Sequence, residues 1–347
     1  MKKSLVAIAA LTLVGAASAQ VTLTGNVSFS YQNSMSGPGA VGTSGAKGIA
    51  MSDNSIFLGD TEDLGGGTKL IMSTGFDAGG RKTIGIGNFS QEDSSLKVVG
   101  GFGSVTLKSF ESDGAFAPIE GLSGASVDVG MFDSSAVGPG KRFRNGVSYS
   151  TPSFSGFTGS LSYVTLAGQY ANSASQDAKT KTVPAITYAN GPLTVYAEYD
   201  LLNASYNNNT DDTVTQPYVT VKYDFGVATV GAGWTKPSND GTSYILGLSV
   251  PVGALTFGLA TTTYNAQTSA STDAAKTSAL INANGSAQWT EASISYALSK
   301  RTSLKASFAQ TNDAGVAYAN AGNAAAYGLT NTLVQNNETR VGLFHSF

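Results

Sequence analysis

The last ten residues, Glu338-Thr-Arg-Val-Gly-Leu-Phe-His-Ser-Phe347, alternate in twos. Val341, Leu343, His345 and Phe347 share one face, and Arg340, Gly342, Phe344 and Ser346 share the other. That is strand periodicity, carried to a final aromatic side chain. A strand apolar on one face must bury that face or turn it towards lipid. Its edges must also be paired. This stretch alone fits the last strand of a closed barrel whose outer face meets lipid, or a soluble antiparallel protein that ends on an apolar strand; the count and the connections of the strands separate the two.

The same alternation opens the chain. Val21, Leu23, Gly25, Val27, Phe29 and Tyr31 interleave with Thr22, Thr24, Asn26, Ser28 and Ser30. About sixteen such segments follow one another, an even number in the range of transmembrane barrels. Their connections alternate. Tight turns rich in Gly, Pro and Asn, such as 190–192, 225–226 and 251–253, lie on one side. Long polar stretches, such as 166–181, 202–213, 262–286 and 309–337, lie on the other. Tyr149, Tyr163, Tyr188, Tyr223, Tyr296 and Phe347 fall mostly beside the short turns, where an aromatic girdle meets a membrane–water boundary. The expected fold is all-β, a closed antiparallel transmembrane barrel of about sixteen strands, with short periplasmic turns and long external loops.

Composition agrees. Only 12% of residues are charged, against 42 Gly, 15 Tyr and 16 Phe. The mature chain has no apolar run long enough for a membrane-spanning helix. It has no cysteine, hence no disulfide framework and no thiolate metal site. Lys2-Lys3, the apolar run Leu5 to Val14 and Ala17-Ser18-Ala19 read as a cleaved signal peptide over 1–19, leaving 20–347 as one barrel domain. Losing both lysines takes the formal charge from −3 to −5, with no basic excess to attract nucleic acid.

Five stretches, in order along the chain, resemble the general porins of β-proteobacterial outer membranes. They are Thr61-Glu-Asp-Leu-Gly-Gly-Gly67, Gly101-Phe-Gly-Ser-Val-Thr-Leu107, Asn145 to Phe157, Ser299-Lys-Arg-Thr-Ser-Leu304 and Val341-Gly-Leu-Phe-His-Ser-Phe347. The resemblance implies a general diffusion porin with a third external loop folded inward. It also implies a homotrimer set among outer-membrane lipid and lipopolysaccharide, and a terminal Phe347 read by the barrel-assembly machinery. Ions and small hydrophilic solutes would pass by diffusion, with no cofactor or metal. Three basic positions of the family are absent or moved. Ser55 stands where its second strand usually carries Arg, Lys108-Ser109-Phe110 where a Gly-Arg-Gln usually ends the fifth, and Phe344 where the last motif has Arg. The resemblance therefore implies at most a weak, slightly anionic preference.

A channel needs water, width and a field. Alternation puts Lys69, Lys108, Arg142, Arg144, Lys222, Lys305 and Arg340 on the inner face, with Glu198, Asp200 and Glu291. Residues 109–140 are too long for a turn. They hold Glu111, Asp113, Glu120, Asp128 and Asp133 without a single Lys or Arg. A long segment inside a compact fold is usually functional. These acids are expected to face Lys108, Arg142 and Arg144 across a constriction. A hydrolase would need a histidine beside a nucleophile, but the one histidine, His345, lies on the lipid-facing register. Gly138-Pro-Gly-Lys141 lacks phosphate-loop spacing. A barrel that only displays its loops, as an adhesin or receptor does, is the other alternative.

Overall fold

The computed structural model describes residues 21–36, 47–78, 89–111, 116–125, 143–166, 179–204, 212–238, 241–265, 286–313 and 335–347. Among them are sixteen strands. The first eight are β1 (Thr22–Ser36), β2 (Lys47–Gly65), β3 (Thr68–Ala78), β4 (Phe89–Gly100), β5 (Gly103–Glu111), β6 (Phe143–Ser150), β7 (Phe157–Leu166) and β8 (Lys179–Asn190). The second eight are β9 (Leu193–Ala204), β10 (Asp212–Asp224), β11 (Thr229–Thr235), β12 (Thr242–Val252), β13 (Leu255–Asn265), β14 (Ala287–Ala297), β15 (Thr302–Thr311) and β16 (Gln335–Ser346). Each pairs antiparallel with its neighbours in sequence, and β16 returns to β1. The sheet is a closed barrel, as its alternation requires.

Closure runs from Asn26↔Ser346 to Ser36↔Gln335. One residue further, the Gly25 N–H donates to the Phe347 carbonyl at 3.1 Å and the Phe347 N–H to the Gly25 carbonyl at 3.0 Å. The Phe347 ring lies over Gly25. A Cβ added there would sit 2.7 Å from the ring and 2.4 Å from the Ser55 carbonyl oxygen. The glycine in an otherwise large-residue row is therefore a seat for the last aromatic ring.

The outer face carries the apolar side chains. Leu23, Phe29, Leu107, Leu161, Leu246 and Leu343 are all exposed. In a soluble protein such a band would be an error; around a membrane barrel it meets lipid. Among the described residues no helix is long and apolar enough to cross a membrane. The short-turn end carries aromatic clusters. Phe157 and Tyr188 rings stand 4.6 Å apart, Tyr223 and Phe225 rings 4.5 Å apart, and the Tyr149 hydroxyl donates to the Phe102 carbonyl at 2.8 Å.

Several strands outrun the sequence pattern. The segment Thr61–Gly67, with its run of three glycines, is mostly strand: β2 continues to Gly65 and the chain reverses at Gly66-Gly67. Three glycines at φ 83°, 62° and 78° make that reversal, and the Asp63 carboxylate accepts the Gly65 N–H at 2.8 Å. Likewise β8 begins at Lys179, inside the polar stretch 166–181, and β9 runs to Ala204 and β10 begins at Asp212, inside the stretch 202–213. Where a strand leaves the bilayer both of its faces can be polar. The two-residue period then fades while the ladder continues.

Candidate pore and its constriction

Between β5 and β6 the chain enters the barrel. Ala117–Glu120 forms one helical turn, α1, with Pro118 in its first positions, where a missing N–H costs nothing. The Ile119 and Glu120 amides both reach back to the Phe116 carbonyl, at 2.9 and 3.0 Å. A 3₁₀ turn, Gly121–Ser123, follows and stops at Gly124, left-handed at φ 57°. Phe116, Ile119 and Leu122 are spaced by threes, so they share one face.

That face docks against the inner wall. Phe116, Ile119, Tyr218 and Ile245 form a buried apolar cluster with Tyr196 at its edge, and the Phe116 and Tyr218 rings meet edge to face at 5.9 Å. Glycines make the bed. A Cβ at Gly231 would lie 2.6 Å from Ile119 Cδ1, at Gly233 2.8 Å from Phe116 Cε1, at Gly247 2.5 Å from the Ile119 carbonyl oxygen, and at Gly258 1.9 Å from that of Ser123. All four occupy the inner register of β11, β12 and β13. Four glycines thus do for this segment what a groove does for a ligand.

Polar contacts hold its far end. The Ser123 hydroxyl donates to the Glu291 carboxylate, whose residue is 4% exposed. The Ser293 hydroxyl donates to the Ser123 carbonyl, and Lys305 Nζ reaches the Gly124 carbonyl at 3.5 Å. A segment rooted at β5 is thereby tied to β14 and β15, and the water path through the barrel must pass beside it.

Several other inner-wall charges have partners towards the long-loop end. Lys181 bridges to Asp200, and the Tyr196 hydroxyl donates to Glu198. Arg340 and Glu338 lie 2.5 Å apart. Lys108 stacks its ammonium 3.9 Å from the centre of the Phe110 ring and stands within electrostatic reach of Glu198. Cross-strand registers place Lys69, Lys108, Lys222, Lys305, Arg340, Glu198, Asp200 and Glu291 on the inner face, as alternation had it.

The expected constriction residues are only partly in view. Lys108 is half-buried on the inner wall, and Glu120 is half-buried in α1. Arg144 pairs with Phe110 on the inner register, whereas Glu111 pairs with Phe143 on the register of Val105 and Leu107. The side chains of Glu111 and Arg144, and all of Asp113, Asp128, Asp133 and Arg142, lie outside the described residues. Sequence reasoning missed the anchor, Phe116, Ile119 and Leu122, and the glycine bed that receives it. The signal was an apolar triplet spaced by threes in a polar loop, together with inner-register glycines on three consecutive strands. His345 is exposed on the outer face, its Nδ1 and the Thr302 hydroxyl 2.9 Å apart.

The family model for Gram-negative porins matches residues 4–315. Outer membrane porin protein 32 of Delftia acidovorans is 30% identical over 287 residues, covering 74% of this chain and 77% of that protein. A second outer membrane porin protein, from Bordetella pertussis, is 28% identical over 251 residues, covering 56% of this chain and 63% of that protein. Among solved structures, the anion-selective porin from Comamonas acidovorans superposes with a TM-score of 0.65 at 22% identity, over 95% of this chain and all of the other.

Proposed function

The chain belongs to the Gram-negative porin family and forms a diffusion channel in the outer membrane, and from that premise we propose how its lumen handles solutes. Ions and small hydrophilic molecules pass down their gradients between α1 with its flanking loop and the opposite wall of β3 to β6. The single observation that carries this reading is the docking of Phe116 and Ile119 on the glycine bed. It sets residues 116–124 against the inner wall, which supports a lumen narrowed on that side and open to water on the other.

Charge then tunes what passes. Asp113, Glu120, Asp128 and Asp133 lie in sequence between β5 and β6, Lys108 and Arg144 stand on the inner register of those two strands, and Arg142 immediately precedes β6 in sequence. Opposed groups across water give a transverse field, partly screened at physiological salt. The inner-wall acids Asp200 and Glu338 have basic neighbours, so the net preference is weak and leans towards anions. The working unit is a homotrimer in lipid and lipopolysaccharide, reached after removal of residues 1–19 and insertion by the barrel-assembly machinery. The function is passage, with no catalysis and no cofactor.

The test is the double variant Arg142→Ser with Arg144→Ser in a planar bilayer under a salt gradient. Its reversal potential should move towards cations and its conductance should change. If both stay at their wild-type values, the two arginines stand away from the narrowest section.

A further inference from the structure

The lumen's charges are stratified along the barrel axis. Above the short-turn end, acids have partners: Asp200 with Lys181, Glu338 with Arg340, Glu198 with Tyr196, and Glu291 with Ser123. Lower down the arrangement differs. Lys69 is the second residue of β3 and pairs with Val99. Lys97 stands three residues before the end of β4, Lys222 two before the end of β10, and Lys305 three after the start of β15. All four are on the inner register, at a similar depth from the turns, and they approach the lumen from three sides of the barrel.

Two inner-register acids share this depth, Asp63 and Asp224. Each turns its carboxylate to a turn amide at the rim: Asp63 accepts the Gly65 N–H at 2.8 Å and Asp224 the Gly226 N–H at 2.7 Å. Among the described residues Lys69, Lys97 and Lys222 form no ion pair, while Lys305 reaches the Gly124 carbonyl and lies 5.0 Å from the Phe344 ring centre. Lys300 and Arg301, exposed in the β14–β15 turn, add positive charge at the same end.

We propose that Lys69, Lys97, Lys222 and Lys305 form a basic collar inside the short-turn mouth. The collar concentrates small anions there and sets the channel's anion preference from that side, separately from the loop. The proposal rests on the reading of the barrel as an open conduit. A low-dielectric wall focuses the field of fixed charges into the water it encloses. The Debye length is about 10 Å at 0.1 M salt and about 3 Å at 1 M, so the collar acts on passing ions in dilute salt and is screened in concentrated salt. Because it sits at one mouth only, it makes current depend on voltage polarity.

Single-channel recordings of the full chain in symmetric KCl, with reversal potentials read under a KCl gradient, test this. Wild-type protein should rectify at about 0.1 M and become close to ohmic at about 1 M, where screening is severe. The triple variant K69Q/K97Q/K222Q, which keeps Lys305 and its loop contact, should lose roughly half or more of the dilute-salt rectification and shift its reversal potential towards cations, as removal of focused charge requires. K69R/K97R/K222R should restore both. Ohmic wild-type current in dilute salt, or a Gln variant with wild-type rectification and reversal potential, overturns the collar. The first of these holds whether or not the variant inserts. Protein that enters the bilayer and passes no current overturns the conduit reading instead.

Discussion

Gly25 and Phe347 show how much a single residue can settle. The terminal strand and its outward aromatic were readable from alternation alone. The requirement for glycine at 25 was not, because nothing local says that the first and last strands touch. Two bulkier neighbours, Leu23 and Val27, make the gap look like an accident of composition. It is instead the space taken by the Phe347 ring, whose Cζ atom would stand 2.7 Å from an added Cβ. A Val at 25 must displace both that ring and the Ser55 carbonyl, and overpacking of this sort typically costs about 1–3 kcal/mol. Gly25→Val should therefore give less heat-modifiable, membrane-inserted protein than wild type, and Phe347→Ala should share the defect. The check is the gel shift between unheated and boiled membrane fractions. Equal folded fractions in Gly25→Val and wild type would show that the ring's seat is dispensable.

At the scale of elements, the inserted segment is where sequence reasoning was least complete. Its acidity and length marked residues 109–140 as unusual, and inward folding was expected. What could not be read was which wall receives it, because Ile119 and Gly247 become neighbours only once the barrel has closed. The strand ends also ran past their patterned stretches, since hydrophobic alternation reports lipid contact and hydrogen-bonded ladders extend beyond it. The docking predicts its own failure. Gly247→Val and Gly258→Val each place carbon where the Ile119 or Ser123 carbonyl oxygen now sits, weakening the dock by about 1–3 kcal/mol. Open-channel current in either variant should become noisier and its mean conductance lower, as the segment is pushed towards the water path. Quiet currents of wild-type amplitude would mean that the segment is held by its polar end alone. Glu291→Gln isolates that end, and it should add noise while leaving mean conductance nearly unchanged.

For the whole molecule, architecture was more legible than chemistry. The closed ladder follows from one physical demand, that no backbone donor be left bare in hydrocarbon, and the outward apolar faces follow from contact with lipid. Side-chain pairing inside the lumen obeys no such rule. Water there can solvate Glu198 or Lys222 in many arrangements, so alternation placed them on a face but left their partners open. The seam offers a test of the global register. The chain has no native cysteine, so Tyr31→Cys combined with Val341→Cys puts two thiols at directly opposed positions on β1 and β16. Oxidation should cross-link folded protein into a covalent ring with altered mobility after boiling. Tyr31→Cys with Leu343→Cys, two residues out of step, should cross-link poorly. Equal yields from both pairs would contradict the register described for the seam.

The inserted segment also turns the protein into resistors in series. On the proposed reading, current entering either mouth crosses two wide stretches and one narrow one, and the narrow one dominates the total. A short segment that spans no membrane therefore sets throughput, while the much larger wall contributes insulation and bias. Throughput and bias can drift apart in evolution: trimming the loop alters the first with every strand untouched, and exchanging a lumen lysine alters the second without moving the backbone.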